Sequence, residues 1–180
     1  MLTIRRFAGP LAALSLLAFS VVPVSAQSAD PSPASAPASA WVTGTLTLAP
    51  GCTEPTSTIE AGVEHQRGFR CEPQTWTTTD PRLTGTASSA LSVDVYMADG
   101  ARIEVSSGTY DVRNDGGGWL CHRAGLYRPG WSPEDDNDDL VTCVGNGGYE
   151  GLTAILVNDW TKTPVSINGL IFAGEVPPIP

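Results

Sequence analysis

Thr86-Ala87-Ser88-Ser89-Ala90-Leu91-Ser92-Val93-Asp94-Val95-Tyr96-Met97-Ala98-Asp99 is the longest stretch after residue 40 that is free of glycine and proline. Within it Leu91, Val93, Val95 and Met97 alternate with Ser92, Asp94 and Tyr96. That is a period of two and not 3.6, so the stretch is a strand with one face turned to a core. Trp41–Ala49 repeats the pattern, with Val42, Leu46 and Leu48 opposing Thr43, Thr45 and Thr47. Working outward, the spacing predicts further strands at 65–71, 74–79, 101–106, 109–114, 119–127, 140–144, 149–157 and 165–172. Asp99-Gly100 and Asn146-Gly147 have the composition of tight hairpin turns, and Asp115-Gly116-Gly117-Gly118 that of a looser one.

Helix signals are nearly absent, because glycine or proline interrupts the chain throughout. The expected fold is therefore all-β: an antiparallel β-barrel of about 8–10 short strands, with a β-sandwich as the alternative. Leu152 to Val157 is apolar at nearly every position, as in a strand buried on both faces or a short buried helix. Gly44, Gly85, Gly151 and Gly169 fall inside predicted strands and mark bends or close backbone approach, which a closed barrel needs at its corners. The triplet Ser/Thr-Gly-Thr at 43–45, 84–86 and 107–109 has no fixed period, so the chain is not a repeat array.

The chain has 180 residues, 10 Lys+Arg and 19 Asp+Glu, a formal −9. That acidity disfavours nucleic acid and anionic membrane surfaces as partners, since little is present to neutralise phosphates. Arg5 and Arg6 precede the uncharged apolar run Leu11–Val22, and Val24-Ser25-Ala26 has the small residues of a cleavage site. Residues 1–26 thus have the form of a Sec-type signal peptide cleaved after Ala26, too short in its apolar part to span a bilayer. Its removal leaves 8 basic against 19 acidic groups, a formal −11 with Lys162 as the sole lysine. Residues 27–40 are rich in Ala, Pro and Ser and read as an extended linker. The expected organisation is signal peptide, linker and a β domain over 41–180, secreted and with no integral membrane segment after cleavage.

Cys52, Cys71, Cys121 and Cys143 contain no Cys-x-x-Cys, so zinc and thioredoxin-like chemistry are poorly supported. In an exported chain an even count points to disulfides. Three pairings are open. The sequential one, Cys52–Cys71 with Cys121–Cys143, would close two loops of about 20 residues, each stabilising the fold by roughly 3 kcal/mol.

Residues that carry familiar chemistry are few. The two histidines, His65 and His122, cannot build a three-histidine metal centre, and neither Gly-x-Ser-x-Gly nor His-Glu-x-x-His occurs. No catalytic residue is therefore assigned. Glu134-Asp135-Asp136-Asn137-Asp138-Asp139 packs five carboxylates into six residues, a mutual repulsion that Ca²⁺ would relieve. An EF-hand starting at Asp135 fails, because Leu140 and Asn146 stand where glycine and glutamate are required. The run reads as a solvated acidic loop, with Ca²⁺ binding by Glu134, Asp135, Asp136, Asp138 and Asp139 as the alternative; no other cofactor is expected. In an open barrel Tyr96, Arg102, Glu104 and Glu150 are the polar strand residues that could line a cavity for a small apolar ligand. Trp119 and Tyr149 follow glycine runs and read as packing anchors.

Three segments taken together carry a resemblance: Thr79-Asp80-Pro81-Arg82-Leu83-Thr84-Gly85-Thr86, Gly108-Thr109-Tyr110 through Gly118-Trp119, and Gly145 to Leu152 with its Gly-Gly-Tyr-Glu-Gly. With the closing Ile171-Phe172-Ala173-Gly174-Glu175 and Pro177-Pro178, they resemble a group of uncharacterised secreted bacterial β proteins over most of 41–178. The Gly-x-Gly-x-Tyr-x-Gly cadence is more loosely similar to the allene oxide cyclase and dirigent-like barrels. That second resemblance implies an eight-stranded antiparallel barrel holding an apolar ligand and steering cyclisation or coupling. No segment matches those families residue by residue, so no catalytic residue follows from it. The expectation is a non-enzymatic extracellular binding or interaction module. The alternatives are a small-molecule isomerase or cyclase in a barrel cavity and a structural protein of the cell envelope.

Overall fold

The computed structural model describes residues 39–48, 50–127 and 138–176. Nine antiparallel strands form one sheet: β1 (Ser39–Thr47), β2 (Thr56–Glu60), β3 (Val63–Thr78), β4 (Gly85–Ala98), β5 (Ala101–Asn114), β6 (Gly117–Tyr127), β7 (Asp138–Gly147), β8 (Leu152–Asp159) and β9 (Val165–Ala173). Among the described residues no helix is long and apolar enough to cross a membrane.

From β3 to β9 every strand pairs with the next one in sequence, and β1 pairs with β9 on one side and with β3 on the other. The ladder returns to itself, so eight strands close an antiparallel barrel and the sandwich alternative falls away. β2 lies outside the ring. The register sets Thr47 opposite Thr75, Thr53 opposite Arg70 and Thr56 opposite Arg67, so β2 resumes the line of β1 along the same edge of β3.

Alternation along each strand fills the barrel. Val42, Leu46, Trp76, Tyr110, Val112, Trp119, Leu156, Ile167 and Ile171 are wholly buried. Trp76 meets Tyr110 edge to face, with ring centroids 5.3 Å apart and planes at 70°. Burying each such side chain stabilises the domain by about 1.5–3 kcal/mol. Cys121 and Cys143 face each other in register across β6 and β7 and are bonded inside the core, while Cys52–Cys71 staples the segment between β1 and β2 to β3. The sequential pairing is the one formed.

Several boundaries differ from expectation. The strands are longer than the short ones predicted, because residues 65–71 and 74–79 are one strand across Pro73, where the register shifts between Cys71 and Gln74. A bulge is a place where a ladder tolerates proline. Likewise 101–106 and 109–114 merge through Gly108, whose missing Cβ lets the backbone carbonyl of Ala90 approach. Thr56–Glu60 is absent from the predicted strands and forms β2, turning through Ala61 (φ 51°) and Gly62 (φ 82°). Asp99-Gly100 is a two-residue hairpin with both φ values positive. Asp115-Gly116 is equally tight rather than loose, since Asn114 pairs with Gly117. Asn146 and Gly147 still pair with β6, and the turn lies at 148–151. Ser39 and Ala40, placed in the linker, already pair with Phe172 and Ile171. The expected signal peptide at 1–26, residues 27–38 of the expected linker and Pro177-Pro178 lie outside the described residues.

One end of the barrel is plugged by the β3–β4 loop. Asp80 accepts hydrogen bonds from the Arg82 backbone N–H (3.0 Å), Nε (2.9 Å) and Nη2 (2.6 Å), which folds the loop over the wholly buried Leu83. Trp119 donates its indole N–H to the Arg82 carbonyl (2.8 Å) and stacks on Tyr149 at 5.5 Å. Asn114 donates to the carbonyl of Thr84 (2.8 Å) and accepts from the Tyr149 hydroxyl (2.7 Å). Trp119 and Tyr149 are packing anchors. The bonds from Arg82 hold the Asp80 carboxyl below the usual carboxylate range. The stability this adds is full above the unfolded carboxylate range and is lost as pH falls through the lower folded value. Asp80→Asn should therefore be less stable than the parent by a constant amount at neutral pH. Thermal midpoints should converge as acid protonates Asp80 in the parent.

Candidate functional site

Among the described residues the opposite end is open and asymmetric. The β4–β5 ladder runs from Thr86↔Arg113 to Ala98↔Ala101, whereas β8–β9 covers only Leu152↔Ala173 to Asp159↔Ser166. β3, β4 and β5 thus overhang the mouth, and their inner face forms one wall of a recess of about 190 Å³. Phe69, Leu91 and Val93 give that wall an apolar surface, with Leu48 and Trp160 also lining the recess. Leu48 and Trp160 also border a shallower apolar groove of about 530 Å³ over Leu46, Pro164 and Val165.

The polar lining comes from the same alternation that fills the core. Trp119, Cys121 and Arg123 share the inward face of β6, so Arg123 enters the barrel one step above the disulfide. Its side chain is 7% exposed and its Nη2 lies 2.5 Å from Asp139 Oδ2, on a side chain that is 1% exposed. Arg123 Nη1 donates to the Tyr110 hydroxyl at 3.0 Å, and the guanidinium sits over the Trp160 ring, 5.0 Å from its centroid. Asp139 also accepts from the Trp160 indole N–H and from Ser106 Oγ. Burial holds the Tyr110 phenol above its ordinary pKa, and its oxygen accepts the hydrogen bond that Arg123 donates. Gln74, 1% exposed, donates Nε2 to Ser89 Oγ at 2.7 Å. Two buried atoms lining this region have no hydrogen-bond partner among the described residues: Gln74 Oε1 and Arg123 Nε.

Gly125 makes the ion pair possible. It stands opposite Asp139, and a Cβ there would overlap Asp139 Oδ1 and crowd Ser106 Oγ. The carboxylate crosses the bare glycine to reach Arg123. Gly125→Ala should displace it and cost about 1–3 kcal/mol, the usual effect of overfilling a packed site. Denaturant unfolding would measure this loss.

Of the expected cavity residues, Glu104 lines the recess. Arg102 follows it on the same face of β5 and pairs with it, Nη1 to Oε1 at 2.8 Å. Tyr96 lies on the face of β4 opposite Val95 and is exposed. Glu150 is in the 148–151 turn at the plugged end, so the four are not brought together. Of the acidic run, Glu134, Asp135 and Asp136 lie outside the described residues. Asp138 opens β7, and Asp139 has both oxygens engaged in the ion-pair cluster. Among the described residues no three His, Cys, Asp or Glu side chains are grouped to hold a metal. His65 bonds Asp94 through Nδ1 (2.7 Å) on the outer face, beside Arg67, and both partners lower the Asp94 pKa.

No protein-family model, no curated protein and no solved structure matches this chain. The recess offers an apolar wall, a neutralised buried arginine, and two buried polar atoms with no hydrogen-bond partner among the described residues.

Proposed function

We propose that this chain is a non-enzymatic extracellular binding module whose ligand is a small molecule held at the open mouth of the barrel. The observation that carries this reading is the pairing of an apolar-walled recess with buried polar atoms on Gln74 and Arg123 that have no hydrogen-bond partner among the described residues. Burying a polar group without a partner costs about 1–3 kcal/mol, and a bound molecule would recover that cost. Apolar walls with a few convergent polar groups are the usual make-up of a small-molecule pocket. Both carboxylates at the recess are tied to arginines, Asp139 to Arg123 and Glu104 to Arg102. That suits a site that holds a molecule better than the isomerase or cyclase chemistry the looser resemblance implies, where a free acid or base is needed. Two disulfides and the form of residues 1–26 support an oxidising, extracytoplasmic setting.

Native mass spectrometry on protein purified from the medium of its own host tests the reading. The expected spectrum shows a stoichiometric adduct of small-molecule size that is lost on unfolding. A bare chain, both as purified and after incubation with an extract of that medium, would overturn it.

A further inference from the structure

Resting on that reading, we infer that the recess takes an uncharged amphiphile: a compact apolar body carrying one hydroxyl or amide group. The charge balance excludes the ionic alternatives. Arg123 is already neutralised by Asp139 at 2.5 Å, and Glu104 by Arg102 at 2.8 Å. An entering carboxylate would add a negative charge beside two existing ones with no positive charge left to meet it. An entering ammonium would find both carboxylates engaged.

Two atoms of the lining have no hydrogen-bond partner among the described residues, one a donor nitrogen and one an acceptor oxygen. Arg123 uses Nη1 on Tyr110 and Nη2 on Asp139 and Ser106, and Nε is the nitrogen with no partner among the described residues. Gln74 uses Nε2 on Ser89, which leaves Oε1. A group that both accepts and donates satisfies the pair; a hydroxyl or a carboxamide does so, while a carboxylate lacks the proton and an ammonium lacks the lone pair. Size follows from the volume. A dry cavity of about 150 Å³ holds benzene, so the recess of about 190 Å³ suits one six-membered ring with a short polar arm against Phe69, Leu91 and Val93.

Four probes of one shape separate these possibilities: 2-phenylacetamide, phenylacetate, 2-phenylethylamine and ethylbenzene. Each is titrated into the full secreted chain with disulfides intact, and ¹H–¹⁵N spectra are recorded with the arginine Nε–H signals in view. The expected order places 2-phenylacetamide about tenfold or more tighter than either ion, the scale of one satisfied buried hydrogen bond, with movement of the Arg123 Nε–H resonance. Gln74→Leu should weaken 2-phenylacetamide by a similar factor and leave ethylbenzene unchanged, and the retained ethylbenzene site shows that the variant is folded. Phenylacetate or 2-phenylethylamine binding as tightly as the amide would overturn the uncharged class and leave a small-molecule site standing. So would an amide that binds without moving the Arg123 signal. No shift with any of the four probes would overturn the small-molecule reading itself.

Discussion

Asp139→Ala is expected to destabilise the domain by about 3–5 kcal/mol, because it strands the Arg123 guanidinium as an unpaired buried charge. The arginine side chain is 7% exposed, and Asp139 is its only anionic contact among the described residues. The same change leaves the Trp160 indole N–H without its acceptor. Urea unfolding with disulfides intact gives the number. The paired replacement Arg123→Met with Asp139→Leu should recover most of the loss, since an apolar pair of similar volume carries no desolvation penalty. That double variant separates stability from function: it should fold well and retain no ligand at the mouth. A loss below about 1 kcal/mol for Asp139→Ala would mean that water reaches the guanidinium, and the charge balance argued for the recess would not hold.

Trp119→Ala should cost about 3–5 kcal/mol for a different reason, cavity creation beneath the plug. Trp119 is wholly buried, stacks on Tyr149 and donates to the Arg82 carbonyl. Trp119→Phe keeps most of the volume and the stacking surface but removes the N–H donor, so it should fall between parent and alanine variant. Because the plug and the recess sit at opposite ends, Trp119→Phe should leave affinity at the mouth unaltered. A matching loss there would show that the two ends are mechanically coupled through the core.

Much of this architecture is written in the period-two pattern. Thr86–Asp99 alone supplies nearly all of β4, and its Asp99-Gly100 end supplies the turn chemistry of a type I′ hairpin. β2 escaped because its turn places Ala61 in the left-handed region, where Asn, Asp or Gly is the usual mark. β3 read as two strands because Pro73 interrupts it, and a bulge that accommodates proline is set by the partner strand. The site was less legible. Asp139 was grouped with an acidic loop by sequence proximity, while its structural partners come from β5, β6 and the residue after β8. One signal for Arg123 was present: it stands two residues from Cys121 on a predicted strand, hence on the face turned to the core. Gln74, two residues from Trp76, carries the same mark. A charged or amide side chain in phase with core residues deserves the cavity assignment before one such as Tyr96, which is out of phase with Val93 and Val95.

The ring of pairings has a kinetic consequence. Six of its eight ladders join strands adjacent in sequence and can zip as successive hairpins; the other two both belong to β1. Bringing β1 against β9 joins positions such as Ser39 and Phe172, the most distant pairing in the domain. Loop-closure entropy makes such a contact slow to form. Until β1 docks, β9 and the part of β3 beyond β2 each present an unpaired edge able to recruit a strand from another chain. The first strand of the domain is thus a late-closing seam, and the interval before it seals is when a newly made chain is most exposed to misassembly.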